Sequence, residues 1–234
     1  MARSIVDYCR EIIANGGCNH SASSYIGPSL PIIAPETIWS QPEYGINKEF
    51  VEGMLKWFEE GETLPKRFAW EIILNTYDIL VKEESMTDMP LEEGVTCDVI
   101  GDVHGTVKLR ASLRMHTHNV PGQFYDLLHL LELTGPPSES HYLVFNGDFV
   151  DRGSWSVEVV TTLFAYKCKF FSPMSPFSVL IFALEGLYPD WVMLNRGNHE
   201  TTEMNEQYGF AGEVTYKHDR QTYEVSSYVF GLIL

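Results

Sequence analysis

Three short stretches gather the side chains that could do chemistry. They read GDVHG at 101–105, GDFVDRG at 147–153 and RGNHE at 196–200. Asp102 and His104 come from the first, Asp148, Asp151 and Arg152 from the second, and Asn198, His199 and Glu200 from the third. The set offers carboxylate oxygen, amide oxygen and imidazole nitrogen but no thiolate. Such donors suit Mn²⁺, Fe, Zn²⁺ or Mg²⁺ at a reaction centre rather than a structural zinc site. Two cations bridged by one carboxylate would suit in-line displacement at phosphorus. Arg152 is permanently charged and forked, which fits the remaining phosphate oxygens. His199 can protonate a leaving oxygen, with its tautomer held by a carboxylate such as Asp151. Taken singly, an Asp after Gly or a His in a glycine-rich loop is an ordinary turn residue. Three such clusters in one chain, each after a strand-like run, reverse that weighting.

Elements must bring these clusters together. VTCDVI precedes the first, HYLVF the second and DWVML the third, each a short apolar run of strand character. Helical stretches, QFYDLLHLLELTG and SVEVVTTLFAYK, lie between them. Alternating strands and helices predict an α/β fold with the clusters at the carboxyl ends of the strands. Asp102 and His104 alternate, so an extended segment points both the same way. Upstream, Phe50, Met54, Leu55 and Phe58 recur at helical spacing, as do Phe68, Ile72, Ile73, Thr76, Ile79 and Leu80. They predict two packing helices broken near GETLP, with Pro65 at the first helical position of the second. Residues 1–24 read as a tail or linker, 25–96 as an extended and helical region, and 97–234 as the core that carries the clusters.

Composition narrows the partners. An apolar content of 44% supports a sizeable core, and a formal charge of −16 repels nucleic acid and anionic membrane, so neither is expected as a partner. Cys9, Cys18, Cys97 and Cys168 form no CxxC pair, and residues 1–17 lack a signal-peptide core and read as a short amphipathic helix or a disordered lead. A cytoplasmic or nuclear location is the expectation. The apolar stretch 170–184 carries Pro173 and Pro176 and falls short of the ~20 residues of a spanning helix.

GDVHG, GDFVDRG and RGNHE, in this order, resemble the three N-terminal signature motifs of the serine/threonine phosphoprotein phosphatases, members of the calcineurin-like metallophosphoesterases. The flanks YIGPSL, LPKRFAWEIILNTYDIL, PSESHYLVFNGDFVDRGSWSVEVVTTLFAYK and EMNEQYGFAGEVTYKH are similar to the type 5 subfamily. The resemblance runs from about Tyr25 to about Glu224. It implies a β-sandwich flanked by helices, incomplete in this chain, and a metal-dependent hydrolysis of phosphoserine and phosphothreonine in proteins by attack of a metal-bridging hydroxide. It also implies two divalent ions (Mn, or Fe and Zn). Asp102 and His104 would belong to the first ion, Asp148 would bridge, and Asn198 would belong to the second. Arg152 would contact phosphate, and His199 would be the acid supported by Asp151. Phosphoproteins are the substrates so implied.

Four departures from the family pattern qualify this. Residues 106–122 intervene between GDVHG and QFYDLL, where the family runs on directly. Residues 168–186 intervene between the helix ending LFAYK and LYPDW. Neither insert resembles its neighbours, which fits translated intron sequence or a pair of lineage-specific loops. The chain also ends at YVFGLIL, before the part of the family that supplies further metal-ligating histidines and a second arginine. The second metal site is therefore expected to be incomplete, and a catalytically impaired, truncated fragment of that family is the alternative to an active enzyme. A metallophosphoesterase of small phosphate esters is a further alternative. Finally, no repeat of about 34 residues is visible, so no tetratricopeptide docking domain is expected.

Overall fold

The structure is a computed structural model that describes residues 4–18, 46, 48–86, 89, 93–103, 123–138, 140–171 and 191–233. Three strands form one parallel sheet in the order β1 (Thr96–Ile100), β2 (His141–Phe145), β3 (Val192–Leu194). Ile100 pairs with Phe145, and Phe145 with Leu194, so the last residues of all three strands stand side by side. Each polar cluster begins at once beyond that line. The α/β expectation and the convergence of the clusters thus follow from register alone. Among the described residues there is this one sheet; a second sheet of a sandwich does not lie among them.

β2 is the middle strand, and Tyr142 to Phe145 are all buried. A continuous apolar run is what a strand covered on both faces requires. β1 is an edge, with Val99 exposed. Its Asp98 meets His141 of β2 at 2.9 Å, a polar contact at the sheet margin.

Helix α5 (Ser156–Phe171) is the centre of the molecule, buried at every position from Ser156 to Cys168. Around it pack α2 (Lys48–Glu59), α3 (Lys66–Leu80), α4 (Gln123–Thr134) and α7 (Phe210–Lys217), together with β3. The periodic residues of α2 and α3 face this core: Phe50, Met54 and Phe58, then Phe68, Ile72, Ile73, Thr76, Ile79 and Leu80, are buried. Pro65 stands one residue ahead of its expected place, as the N-cap of α3. The last helix, α8 (Arg220–Phe230), sends Phe230 against Phe149, Phe164 and Phe210 at 5.3–6.1 Å. The Nε1–H of Trp70 donates to Thr222 Oγ1 at 2.8 Å, joining α3 to α8.

Two segments differ from the sequence reading. Residues expected as tail or linker include α1 (Ile5–Ala14), whose Val6 and Cys9 are buried and which packs on α3 and α8. The amphipathic spacing of Ile5, Val6, Cys9, Ile12 and Ile13 is the physical reason. The start of the second expected insert, residues 168–171, continues α5, and Cys168 lies in the core 3.2 Å from Thr76 Oγ1. The insert 106–122 and the rest of the second one lie outside the described residues. Among the described residues, no helix is long and apolar enough to cross a membrane.

Candidate active site

The second loop is the frame of the site. Asp148, Asp151 and Arg152 hold φ values of 54°, 70° and 61°, in the left-handed region that side-chain-bearing residues avoid. Each such residue costs on the order of 1–2 kcal/mol, so the surroundings must over-determine the loop. They do so through the third loop. The buried carboxylate of Glu200 accepts from Asp148 N at 2.8 Å, Phe149 N at 2.9 Å and Gly197 N at 2.8 Å. Burial pushes its carboxyl above the ordinary range, against the opposing pull of those three donors. The backbones of the two loops are in contact at Gly147 and Gly197. A Cβ on Gly147 would lie 2.3 Å from Gly197 N, and one on Gly197 2.2 Å from Asp148 Oδ1. Only hydrogen fits at either position.

The first loop is tied to the second by its backbone. Val103 N donates to Asp148 O at 3.1 Å, and Asn146 N to Ile100 O at 2.8 Å. Asp102 is exposed between these anchors. His104 lies outside the described residues.

At the centre stand His199 and Asp151, both fully buried. His199 Nδ1 is 2.8 Å from Asp151 Oδ2, and Phe210 N donates to Asp151 Oδ1 at 2.9 Å. Arg152 Nη2 is 3.1 Å from His199 Nε2. A guanidinium only donates, so Nε2 accepts and Nδ1 carries the proton toward Asp151. Arg152 itself is exposed at the rim. Tyr208 flanks the group, its ring edge-on to His199 at 5.3 Å and under Arg152 at 5.9 Å, while its carbonyl accepts from Arg152 N at 3.3 Å. The arrangement can bind an anion at the guanidinium and hold or deliver a proton at Nε2.

The oxygen donors lie around this pair. His199 N donates to Asp148 Oδ1 at 2.9 Å, which orients that carboxylate. Asn198 and Asp102 are exposed on the neighbouring loops. Two carboxylates and an amide fit a hard or borderline divalent cation in donor type. Among the described residues, no three His, Cys, Asp or Glu side chains cluster as a metal-ligating group. Of the expected set, Asp102 and Asp148 are two such side chains among the described residues, and His104 would be the third.

Three contributors escaped the sequence reading. Glu200 stood in its motif without a role, and the structure makes it the clamp between two loops. Asn205, in α6 (Thr202–Tyr208), donates from Nδ2 to His199 O at 2.5 Å and lies 3.4 Å from Asp151 Oδ2. Its Oδ1 is buried without a hydrogen-bond partner among the described residues, at a cost of about 1–3 kcal/mol. An Asn within a helix was the available signal, since its side chain competes with helical bonding. Glu213 of α7 caps the start of α5, accepting from Ser156 N at 3.2 Å and Val157 N at 3.0 Å.

A strained, doubly anchored Asp–Arg loop thus stands beside a buried His–Asp pair at the carboxyl ends of parallel strands. The family model described as calcineurin-like phosphoesterase matches residues 96–231, and the chain belongs to that family. Within it, the chain is similar to serine/threonine-protein phosphatase T of Schizosaccharomyces pombe, 40% identical over 191 residues, which are 82% of this chain and 33% of that protein. Serine/threonine-protein phosphatase 5 of Homo sapiens is 36% identical over 220 residues, 93% of this chain and 37% of that one. A solved protein serine/threonine phosphatase from Saccharomyces cerevisiae, with similarity to human phosphatase PP5, superposes with a TM-score of 0.60 at 30% identity. It covers 80% of this chain and 49% of its own. The chain thus spans about a third of the length of the curated relatives it matches. Membership of this family implies divalent metal ions.

One expectation is corrected. A family model described as the PPP5 TPR repeat region matches residues 6–88, against the expectation that no tetratricopeptide docking domain is present. The matched span holds α1, α2 and α3. The buried faces of α2 and α3 are committed to α5, and those of α1 and α3 to α8.

Proposed function

We propose that the chain carries the phosphate-ester-hydrolysing site of a metal-dependent protein serine/threonine phosphatase, acting on phosphoserine and phosphothreonine. The observation that supports this most is the buried His199–Asp151 pair at 2.8 Å with Arg152 on the outer imidazole nitrogen at 3.1 Å. Asp102, His104, Asp148 and Asn198 are the residues that would hold two divalent ions, with Asp148 shared. Manganese, iron or zinc suit these donors. Bound ions supply charge neutralisation and acidify water.

The chain's own residues do the rest. Arg152 is exposed and forked, so it takes the non-bridging phosphate oxygens. A phosphate that engages the guanidinium draws it from Nε2 and frees that nitrogen to carry a proton. His199 then donates from Nε2 to the departing seryl or threonyl oxygen, while Asp151 stabilises the imidazolium and fixes the ring. The exposure of Asp102, Asn198 and Arg152 suits a substrate presented on a protein surface.

The test is hydrolysis of an aryl phosphate and of a phosphoserine peptide by the chain with Mn²⁺, before and after chelation. Turnover should require the ion, and Asp148→Asn or His199→Ala should reduce kcat at least about 100-fold. Wild-type turnover in both variants would sink the proposal.

A further inference from the structure

Asn205 is fully buried one helical turn into α6, with His199 six residues before it. Its carboxamide nitrogen faces two oxygens, the main-chain carbonyl of His199 and Oδ2 of Asp151. Those two acceptors settle the orientation, because the opposite rotamer would set Oδ1 against both. The orientation that serves them leaves Oδ1 buried and unpartnered among the described residues. A side chain present only to fill space would be better apolar, since an unmet buried acceptor opposes folding. The residue is therefore accounted for by its donor.

We infer that Asn205 is a positioning residue for the His199–Asp151 pair. It ties the backbone of the histidine to the carboxylate of the aspartate, so that Oδ2 stays aimed at Nδ1. Phe210 N holds the other carboxylate oxygen at 2.9 Å, and together the two donors fix both ends of the carboxylate. A carboxylate so fixed keeps the neutral imidazole in the Nδ1–H form, with Nε2 turned to the rim where Arg152 stands. Asn205 reaches neither the rim nor the oxygen donors and acts only through the pair. The catalytic consequence rests on the proposed phosphatase reading; the effect on the imidazole does not.

Asn205→Leu removes the donor while keeping the same number and branching of side-chain heavy atoms. Three measurements on the full chain separate the outcomes: kcat and KM for an aryl phosphate with Mn²⁺, the ¹⁵N shifts of His199 in the metal-free protein at one fixed pH, and the thermal midpoint. Expected are a fall in kcat of about 10- to 100-fold with KM unchanged, a loss of the Nδ1–H signature, and a midpoint near that of the wild type. Wild-type kcat together with a wild-type tautomer overturns the inference. So does a lowered kcat with the tautomer unchanged, which would mark a packing role. If the wild-type chain shows no turnover, the phosphatase reading fails, and the ¹⁵N comparison alone still decides the role of Asn205. If Asn205→Leu does not fold, the wild-type carboxamide decides. Slowly exchanging Asn205 side-chain protons, coupled across a hydrogen bond to the His199 carbonyl, support the inference, and freely exchanging ones overturn it.

Discussion

At the scale of single residues, the site depends on atoms that are held and on one atom that is absent. Asp151 keeps a proton on the inner nitrogen of His199, so Asp151→Asn should leave the ring in place and reverse its tautomer. Turnover should drop by about 10²- to 10⁴-fold with the thermal midpoint little changed. A steady-state assay beside a thermal melt checks this; a variant that keeps its turnover would remove Asp151 from the mechanism. Gly197→Ala tests the absent atom. Its Cβ would lie 2.2 Å from Asp148 Oδ1 and 2.6 Å from Asp148 N, so the loops must separate. A loss of about 1–3 kcal/mol in stability is expected, together with a larger loss of turnover than that instability explains. Denaturant titration and activity on the same preparation separate the two. The grouping of Asp148, Asp151, Arg152 and His199 at one sheet edge was legible because motif glycines and polar residues stand next to each other. The Glu200 clamp and Asn205 were less so, because their partners are backbone atoms of residues far away in the chain.

At the scale of elements, the strands were legible from apolar runs that lead into glycine-bearing polar clusters. Helix α1 was legible as one of two readings, a short amphipathic helix or a disordered lead, but its place in the core was not, because its apolar face gives way to the small polar run from Asn15 to Ser24 that reads as linker. The helix read as ending at LFAYK continues to Phe171, and Cys168 joins the core. Helix α8 supplies the prediction at this scale. Asp219 caps it, accepting from Thr222 N at 2.9 Å, and also meets the Lys66 ammonium. Burial raises the Asp219 carboxyl, but Lys66 and the Thr222 donors outweigh it and hold the group below its ordinary range. A depressed carboxyl contributes stability that is present above its unfolded pKa and is lost as pH falls through the folded value. Asp219→Ala should therefore cost about 0.5–2 kcal/mol at neutral pH. The difference from wild type should shrink as the medium is acidified below the ordinary carboxylate range. Equilibrium unfolding across that range checks it, and a difference that grows on acidification would contradict the sign.

At the scale of the whole molecule, the cores on the two sides of α3 are continuous. Cys9 of α1 and Cys168 of α5 lie in one apolar cluster with residues of α2, α3 and α8. The segment matched as the type 5 repeat region and the segment matched as phosphoesterase therefore share a core, and the helices before β1 should unfold with the sheet rather than ahead of it. The thiols report on this without added probes. Burial pushes both Cys9 and Cys168 up to about 12, whereas Cys18 and Cys97 are only partly buried. The reactive species is the thiolate, and access limits it further. An aromatic disulfide reagent at pH 8 should label Cys18 and Cys97 first. Cys9 and Cys168 should then react together, at a rate that rises with denaturant in parallel for the two. Single-cysteine variants read by mass spectrometry assign each rate. Labelling of Cys9 well ahead of Cys168 in native buffer would mean that α1 leaves the core independently, and the shared core would then be a docking surface rather than one cooperative unit.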